Sequence, residues 1–422
     1  MDADGNSTAK CLLGTLPENR LLPQRIMNIN LIETLTCVSK IVDLIHPKLN
    51  LHHVRTAFIA WNLARESHFS PAQCRKTLLA ALLHDIGGLN EESRLEPLSY
   101  CDNELNDHAL IGGELLAGIP LLSPLSNIVR YHHTRWESGK GRVVDGEIVP
   151  EESHIIYLAD RIDVLLARYR AENISAMREV LTEIILDGSP SVYKPEYIES
   201  FRKMANRDHF WQVMQSSHYQ DYISEIPRIP NDTLSLHNFR DISSLLAFVI
   251  DEFSEDCVQH SLTVGRLAGY LAKEAGIAPE QCLKVEIGGL LHNMNSLDRY
   301  GEQSSTHQDE QTWQVLSPIE GIEEIAEWCR LLPALNEKNA CPFEVHILQA
   351  SHHLAAILNI EMSPAMAQKR LAERTFFPPS LARLIHRRGA VLVQIAQESA
   401  KERRELMMRI TQLNNALHRE KR

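Results

Sequence analysis

No apolar run in these 422 residues approaches the roughly 20 needed to cross a bilayer, so no membrane-spanning helix is expected. The opening segment, MDADGNSTAK, has no basic stretch leading into an apolar one, and so lacks the mark of a signal peptide. Cysteine never occurs as a CxxC pair. The eight cysteines, at positions 11, 37, 74, 101, 257, 282, 329 and 341, are scattered, the usage of reduced thiols in a cytoplasmic protein. Positive charge is short: 43 Lys and Arg face 55 Asp and Glu, a formal net charge of −12. Broad nucleic-acid binding, which relies on cations that neutralise phosphates, is therefore not expected. Alternating strand patterns are almost missing, and RVVDGEIVP at 142–150 reads as a loop more readily than as a hairpin around Asp145-Gly146. There is no P-loop, no dinucleotide fingerprint and no convincing Ser or Cys constellation for covalent catalysis.

Two features are plentiful. Apolar residues make up 44% and charged residues 23%, which excludes a disordered or fibrous chain, and the length suits two or three domains. Apolar positions recur at i, i+3, i+4 and i+7 in VRTAFIAWNLARES, QCRKTLLAALLHDIG, SHIIYLADRIDVLLARY and AMREVLTEIIL, so the fold class is all-α. The second surplus is histidine. There are 20, and imidazole is the commonest protein metal ligand.

The helical pattern repeats. A shift of 208 lays residues 52–89 over 260–297 with thirteen of 38 positions identical, among them Pro71/Pro279, Gln73/Gln281, Cys74/Cys282 and His84/His292. A shift of 192 lays SHIIYLADRIDVLL at 153–166 over VHILQASHHLAAIL at 345–358. Two copies of one helical domain explain both shifts. The expected organisation is an N-terminal segment at 1–30, a first domain at 31–215, a polar linker at 216–238, a second domain at 239–390 and a basic helix at 391–422. In that last helix Leu392, Ala396, Leu406, Ile410, Leu413 and Leu417 form a weak heptad seam. It reads equally as an amphipathic helix packed on its own domain and as a dimeric coiled coil, so a homodimer through the second domain or this helix is one expectation.

In the first copy His52, His84-Asp85, His108, His132-His133 and Asp160 form an ordered series. Asp160 sits inside the apolar run IIYLADRIDVLL, where a carboxylate is costly unless paired or bound to a cation. Imidazoles mixed with carboxylates suit Mn, Fe, Co, Ni or Zn, whereas Mg and Ca prefer oxygen alone. Seven groups exceed the needs of one four-coordinate ion and would serve two ions sharing a carboxylate. Such a pair lowers the pKa of a shared water.

At these residues the sequence resembles the HD superfamily of metal-dependent phosphohydrolases, and within it the HD-GYP group of cyclic-di-GMP phosphodiesterases. The resemblance covers about 45–215 and, more weakly, 240–390. It implies that Asp85 bridges two transition-metal ions, Fe or Mn first, with Zn, Ni or Co also fitting. It further implies that His52, His84 and Asp160 complete one ion, and that His108, His132 and His133 complete the other. His84, Asp85 and Asp160 are the residues it places at the chemistry, and the substrate class it implies is a cyclic dinucleotide or related phosphodiester, with cyclic-di-GMP first. YHHTRW at 131–136 and DRIDVL at 160–165 match further parts of the family pattern.

Three departures stand out. The HDxGK lysine is Gly88, the segment naming the GYP group is replaced by ESGKGR at 137–142, and a glutamate that accompanies a third metal in some members is Lys48. Arg135, Lys140 and Arg142 are the replacement contacts expected for substrate phosphate. Asp163, one turn after Asp160, either orients a histidine, protonates the leaving oxygen or only caps the structure. The second copy keeps His260 and His292 but has Asn293 for the bridging Asp and His352 for the final one. It reads as a degenerate, metal-free domain, with His307 and His352-His353 set aside as relocated ligands. The competing functions are a non-catalytic nucleotide-binding or protein-interaction signalling module and a di-iron oxygenase.

Overall fold

The computed structural model describes residues 29–44, 49–89, 93, 95, 107–169, 173–226, 232–253, 260–294, 313, 315–332, 341–358 and 377–420. Lys48 and His307 lie outside them. The described fold is helical, as the periodicity predicts. The first copy holds α1 (Leu31–Asp43), α2 (His52–Glu66), α3 (Pro71–Leu82), α4 (Asp107–Ala117), α5 (Ser126–Arg130), α6 (Glu151–Arg168), α7 (Arg178–Leu186), α8 (Pro195–Ala205), α9 (Asp208–Gln215) and α10 (Tyr219–Ser224). The second holds α11 (Leu236–Phe253), α12 (His260–Glu274), α13 (Pro279–Leu291), α14 (Glu323–Leu331) and α15 (Phe343–Leu358). A last helix, α16, runs from Pro379 to Glu420.

The two sequence shifts survive as structure. Helices α2 and α12 begin at His52 and His260, α3 and α13 at Pro71 and Pro279, and α6 and α15 at Glu151 and Phe343. Proline opens α3 and α13 because the first turn leaves its missing N–H without consequence. Ser70 and Gln73 add a reciprocal capping box to α3, with Gln73 N–H donating to Ser70 Oγ at 3.3 Å. Helix α6 is the pillar of the first copy. Every residue from Glu152 to Leu166 is buried, because α2, α3 and α5 surround it. In the second copy α12 and α13 cross where glycines replace Ala57 and Ala81, and a Cβ on Gly289 would lie 2.8 Å from the Gly265 Cα.

The copies are joined by matched pieces. Ile29–Asn30, β1, pairs antiparallel with Thr233–Leu234, β4, in the register Ile29 to Leu234. Each strand leads into the first helix of its copy, α1 or α11. Arg75 Nε donates to Asp232 Oδ1 at 2.8 Å and Leu31 N–H donates to Asp232 O at 2.8 Å, so one residue of the connection grips both α3 and α1. A narrow cavity between the copies is lined by Cys37, Val38 and Ile41 on one side and Phe239, Leu246 and Leu291 on the other. Part of the stretch expected as linker is ordered helix. Tyr222 of α10 is buried against α2, its ring 5.6 Å from that of Phe58.

Two local expectations change. Residues 143–148 form a hairpin, not a loop: Val143–Val144, β2, pairs with Glu147–Ile148, β3, around Asp145 (φ 52°) and Gly146 (φ 83°). Two successive positive φ values are what a tight hairpin turn demands, and Asp-Gly supplies them. The final helix begins at Pro379, ahead of the expected 391, and packs on the chain itself, touching α12, α15 and α4. Its seam residues Leu392, Ala396 and Ile410 are buried, and Arg403 Nε meets Glu252 Oε1 of α11 at 2.6 Å. No described helix is long and apolar enough to cross a membrane.

The loop after α3 touches α4 backbone to backbone. A Cβ at Gly87 would sit 2.1 Å from His108 O and 2.2 Å from Gly112 N. Gly87→Ala should therefore push α4 away and cost about 1–3 kcal/mol of stability, the usual range for overpacking. Urea unfolding of the variant checks this, and an unchanged midpoint would mean that the close approach is not required.

Candidate metal centre

The structure brings together the series that the sequence spreads over more than a hundred residues. His52 opens α2, directly after Leu51 at φ 61°, a conformation rare for a branched side chain. His84 and Asp85 lie in the turn closing α3, His108 is on α4, His132 and His133 follow α5, and Asp160 is in the middle of α6. All seven are buried. A carboxylate and imidazoles are excluded from water only where something replaces the lost hydration.

The arrangement divides around Asp85. Its Oδ2 lies 3.3 Å from His84 Nε2 and 3.6 Å from His52 Nε2. Its Oδ1 lies 3.3 Å from His108 Nε2 and 3.4 Å from His132 Nε2. Asp160 Oδ1 faces the first group, 3.4 Å from His52 Nε2 and 4.0 Å from His84 Nε2. His133 Nε2 joins the second, 2.9 Å from His108 Nε2. Two sets of ligand atoms result, His52–His84–Asp85 and Asp85–His108–His132–His133, each compact enough to hold an ion. The Nε2 atoms of His52, His84 and His132, both oxygens of Asp85 and Asp160 Oδ1 are buried without a hydrogen-bond partner. So many converging orphan atoms fit a pair of cations.

Backbone and side-chain partners fix which nitrogen points inward. His84 Nδ1–H donates to Ala81 O at 2.8 Å and His132 Nδ1–H to Val129 O at 2.7 Å, leaving each Nε2 as the ligand atom. His52 Nδ1–H donates to Asp163 Oδ2 at 2.8 Å. Asp163 is itself held by Arg55, whose Nε lies 2.5 Å from Oδ1 and Nη2 3.0 Å from Oδ2. Asp163 is thus the orienting residue of the alternatives the sequence left open. Arg55, one turn after His52, was not anticipated, although its i+3 spacing placed it on the same face. Arg161 was also missed: its Nη2 holds Asp160 Oδ2 at 2.6 Å. A second missed pair is His53 and Asp43, with Nδ1 and Oδ1 2.5 Å apart beneath His52 and His84.

These partners sort the charges. Burial pushes the Asp85 carboxyl up, but His84 and then His108, His132 and His52 outweigh it and hold it well below the carboxylate range. Burial opposes charge on His52, yet Asp163 and Asp85 outweigh it and push that imidazole up to about 10. Burial, reinforced by His133, pushes His132 down to about 3. Arg55 offsets Asp163, and Arg161 takes Asp160 Oδ2, so both oxygens of Asp85 and Oδ1 of Asp160 are the carboxylate atoms left facing the imidazoles.

Arg135, Lys140 and Arg142 occupy exposed positions on the loop after His133. That loop is braced from the other side: Trp136 N–H donates to Val192 O at 2.9 Å and Glu137 N–H to Ser191 O at 3.0 Å. Lys194 lies 5.1 Å from the Trp136 ring centroid and 2.9 Å from Glu151 Oε2. In the second copy His260, His292 and His352 converge, with His352 Nδ1 2.9 Å from both His260 Nε2 and His292 Nε2.

Residues 51–165 match the family model for the HD domain. The first copy carries an HD domain. A Vibrio cholerae protein named 3′3′-cGAMP-specific phosphodiesterase 1 is 27% identical over 278 residues, 64% of this chain and 64% of its own length. A Thermotoga maritima cyclic di-GMP phosphodiesterase is 29% identical over 182 residues, 41% of this chain and 48% of that protein. The chain thus spans less than two thirds of either relative. A crystal structure of a cyclic GMP-AMP specific phosphodiesterase from V. cholerae superposes with a TM-score of 0.55 at 15% identity, covering 87% of this chain and 98% of that one. At that identity the likeness is one of fold. It extends over both copies, beyond the stretch that the HD model matches.

If Asp163 orients His52, Asp163→Asn should weaken metal binding at the His52–His84–Asp85 set by about 10–100-fold, the usual effect of losing an outer-shell partner. Calorimetric Mn titration against the parent protein measures it. Equal affinity in the two proteins would reduce Asp163 to a neutraliser of Arg55.

Proposed function

We propose that the HD domain is a two-metal phosphodiesterase that opens a cyclic dinucleotide to its linear form. One observation carries this reading: the two oxygens of Asp85 are faced by separate groups of imidazoles. His52, His84, Asp85 and Asp160 would hold one ion; Asp85, His108, His132 and His133 would hold the other. The mixed nitrogen and oxygen donors favour Fe or Mn, with Zn, Ni and Co compatible. When bound, such ions supply an activated water and neutralise charge on the phosphodiester.

The chain's own residues do the rest. Asp163 and Arg55 fix the His52 ring, Arg161 turns one Asp160 oxygen away from the centre, and Ala81 O and Val129 O hold His84 and His132. None of these groups has to move during turnover, which is the preorganisation that electrostatic catalysis depends on. Gly88 brings no cation to the substrate, so Arg135, Lys140 and Arg142 are the groups proposed to meet its phosphates. Exposed side chains position a ligand less firmly than buried ones, and a displacement of about 1 Å can cost on the order of 100-fold in rate. Slow turnover is the consequence. The longer stretch of likeness is to the 3′3′-cGAMP relative, and that hybrid therefore stands beside cyclic-di-GMP as substrate.

Protein loaded with Mn or Fe should convert one of these two dinucleotides to a linear product, resolved by chromatography. Asp85→Ala should lose both ions and all activity, and His132→Ala should lose activity with its folding intact. If loaded protein leaves cyclic-di-GMP, 3′3′-cGAMP and a generic aryl phosphodiester uncut, the enzyme reading fails. A binding module would then take its place.

A further inference from the structure

The second copy holds a cluster that the proposed reaction does not use. His260 is the first residue of α12, His292 follows the last residue of α13, and His352 lies within α15. By the two shifts they stand where His52, His84 and Asp160 stand in the first copy. One of the carboxylates has become an imidazole, and the bridging one is Asn293. The ligand atoms of the three histidines lie within 4.8 Å of one another.

The protons of these rings cannot account for their spacing. His292 Nδ1–H donates to Gly289 O at 2.7 Å, which leaves its Nε2 as a bare lone pair. That lone pair is 2.9 Å from His352 Nδ1, and His352 Nδ1 is 2.9 Å from His260 Nε2. If His352 Nδ1 carries a proton, that single hydrogen must serve both contacts. If it does not, two lone pairs face each other at hydrogen-bond distance. No placement of protons on three neutral rings gives each contact a hydrogen of its own. The first copy shows the same nitrogen-to-nitrogen approach between His108 and His133, also 2.9 Å, within its candidate metal set.

We infer that His260, His292 and His352 form a separate, mononuclear metal site in the second copy. Tetrahedral coordination with metal–nitrogen bonds of about 2.0–2.1 Å sets ligand nitrogens about 3.3–3.4 Å apart, so only small side-chain shifts admit an ion. The site differs in kind from the one in the HD domain. It offers three neutral nitrogens and no bridging carboxylate, so it takes one ion and not two. All-imidazole donors select zinc-like ions, Zn, Co, Ni or Cu, over Mn, Mg and Ca. The ligands come from three helices, and the ion ties α12, α13 and α15 together. His352 is only partly buried, so an ion there would remain within reach of solvent.

The test uses full-length Asp85→Ala protein with His84→Ala and His133→Ala added, so that neither ligand group of the first copy is complete, titrated with Co(II); Asp85→Ala below denotes this background. We expect one equivalent to bind, with the intense visible absorption of tetrahedral cobalt. Adding His352→Ala in that background should abolish both the absorption and the bound cobalt. Replacing it with His292→Ala should do the same, while circular dichroism verifies that each variant is folded. Zinc should raise the melting temperature of Asp85→Ala and leave Asp85→Ala/His352→Ala unchanged. If Asp85→Ala binds no cobalt, the site does not exist. If the ion persists after His352→Ala, it belongs to the first copy and the inference is overturned.

Discussion

Asp85 is a fully buried carboxylate whose oxygens have imidazole nitrogens around them and no hydrogen bond. Removing such a group from water costs several kcal/mol unless opposite charge meets it. The elements of the first copy that carry ligands can be read from that constraint. The α3 turn carries His84 and Asp85 together, α2 and α6 bring His52 and Asp160 to one oxygen, and α4 and α5 bring three histidines to the other. The close approach of Gly87 to Gly112 allows α4 to come near enough for His108 to take part. The two arginines on the periphery are absorbed by Asp163 and Asp160, so neither competes with a cation for Asp85.

Helix starts and ends are where this fold places its chemistry. His52 and His260 open helices, and His84 and His292 fall just after them. The starts of α3 and α13 are set alike by a proline in the first turn, whereas α2 begins after Leu51 without a side-chain cap. A duplicated sequence duplicates the ligand positions even after the ligands change. This is why α2 and α12 begin 208 residues apart and α6 and α15 begin 192 apart, as the sequence shifts require. It is also why a degenerate copy still gathers three histidines.

The helical class, the repeat and the ordered His/Asp series were legible because each is periodic or is carried by side-chain types that bury badly. Several features were not. The hairpin at 143–148 depends on two positive φ values at Asp145 and Gly146, and Asp-Gly occurs in loops as well. Arg55 and Arg161 are buried through ion pairs with Asp163 and Asp160, but an arginine in a helical sequence ordinarily marks the solvent face. Helix α10 lies in a polar stretch, with Tyr222 buried and Ile223 packed against the core. The meeting of His352 with His260 and His292 was hidden for a different reason. A histidine replacing a ligating aspartate looks like the loss of a ligand when only charge is counted, yet imidazole is a ligand in its own right.

The two copies differ in charge more than in shape. The first sets Asp85 and Asp160 among five imidazoles, enough anionic oxygen to share between two cations. The second replaces both with neutral groups and keeps three nitrogens. At the proposed sites, a divalent ion would be drawn in the first copy by charge and by donor atoms together, and in the second by donor atoms alone. Hard ions that depend on carboxylate oxygen are favoured only in the first, and ions that prefer nitrogen are accepted by both. On the two proposed sites, one helical scaffold would hold different metals within a single chain, because helix geometry sets where the ligands stand and side-chain charge sets which ion, and how many, they would retain.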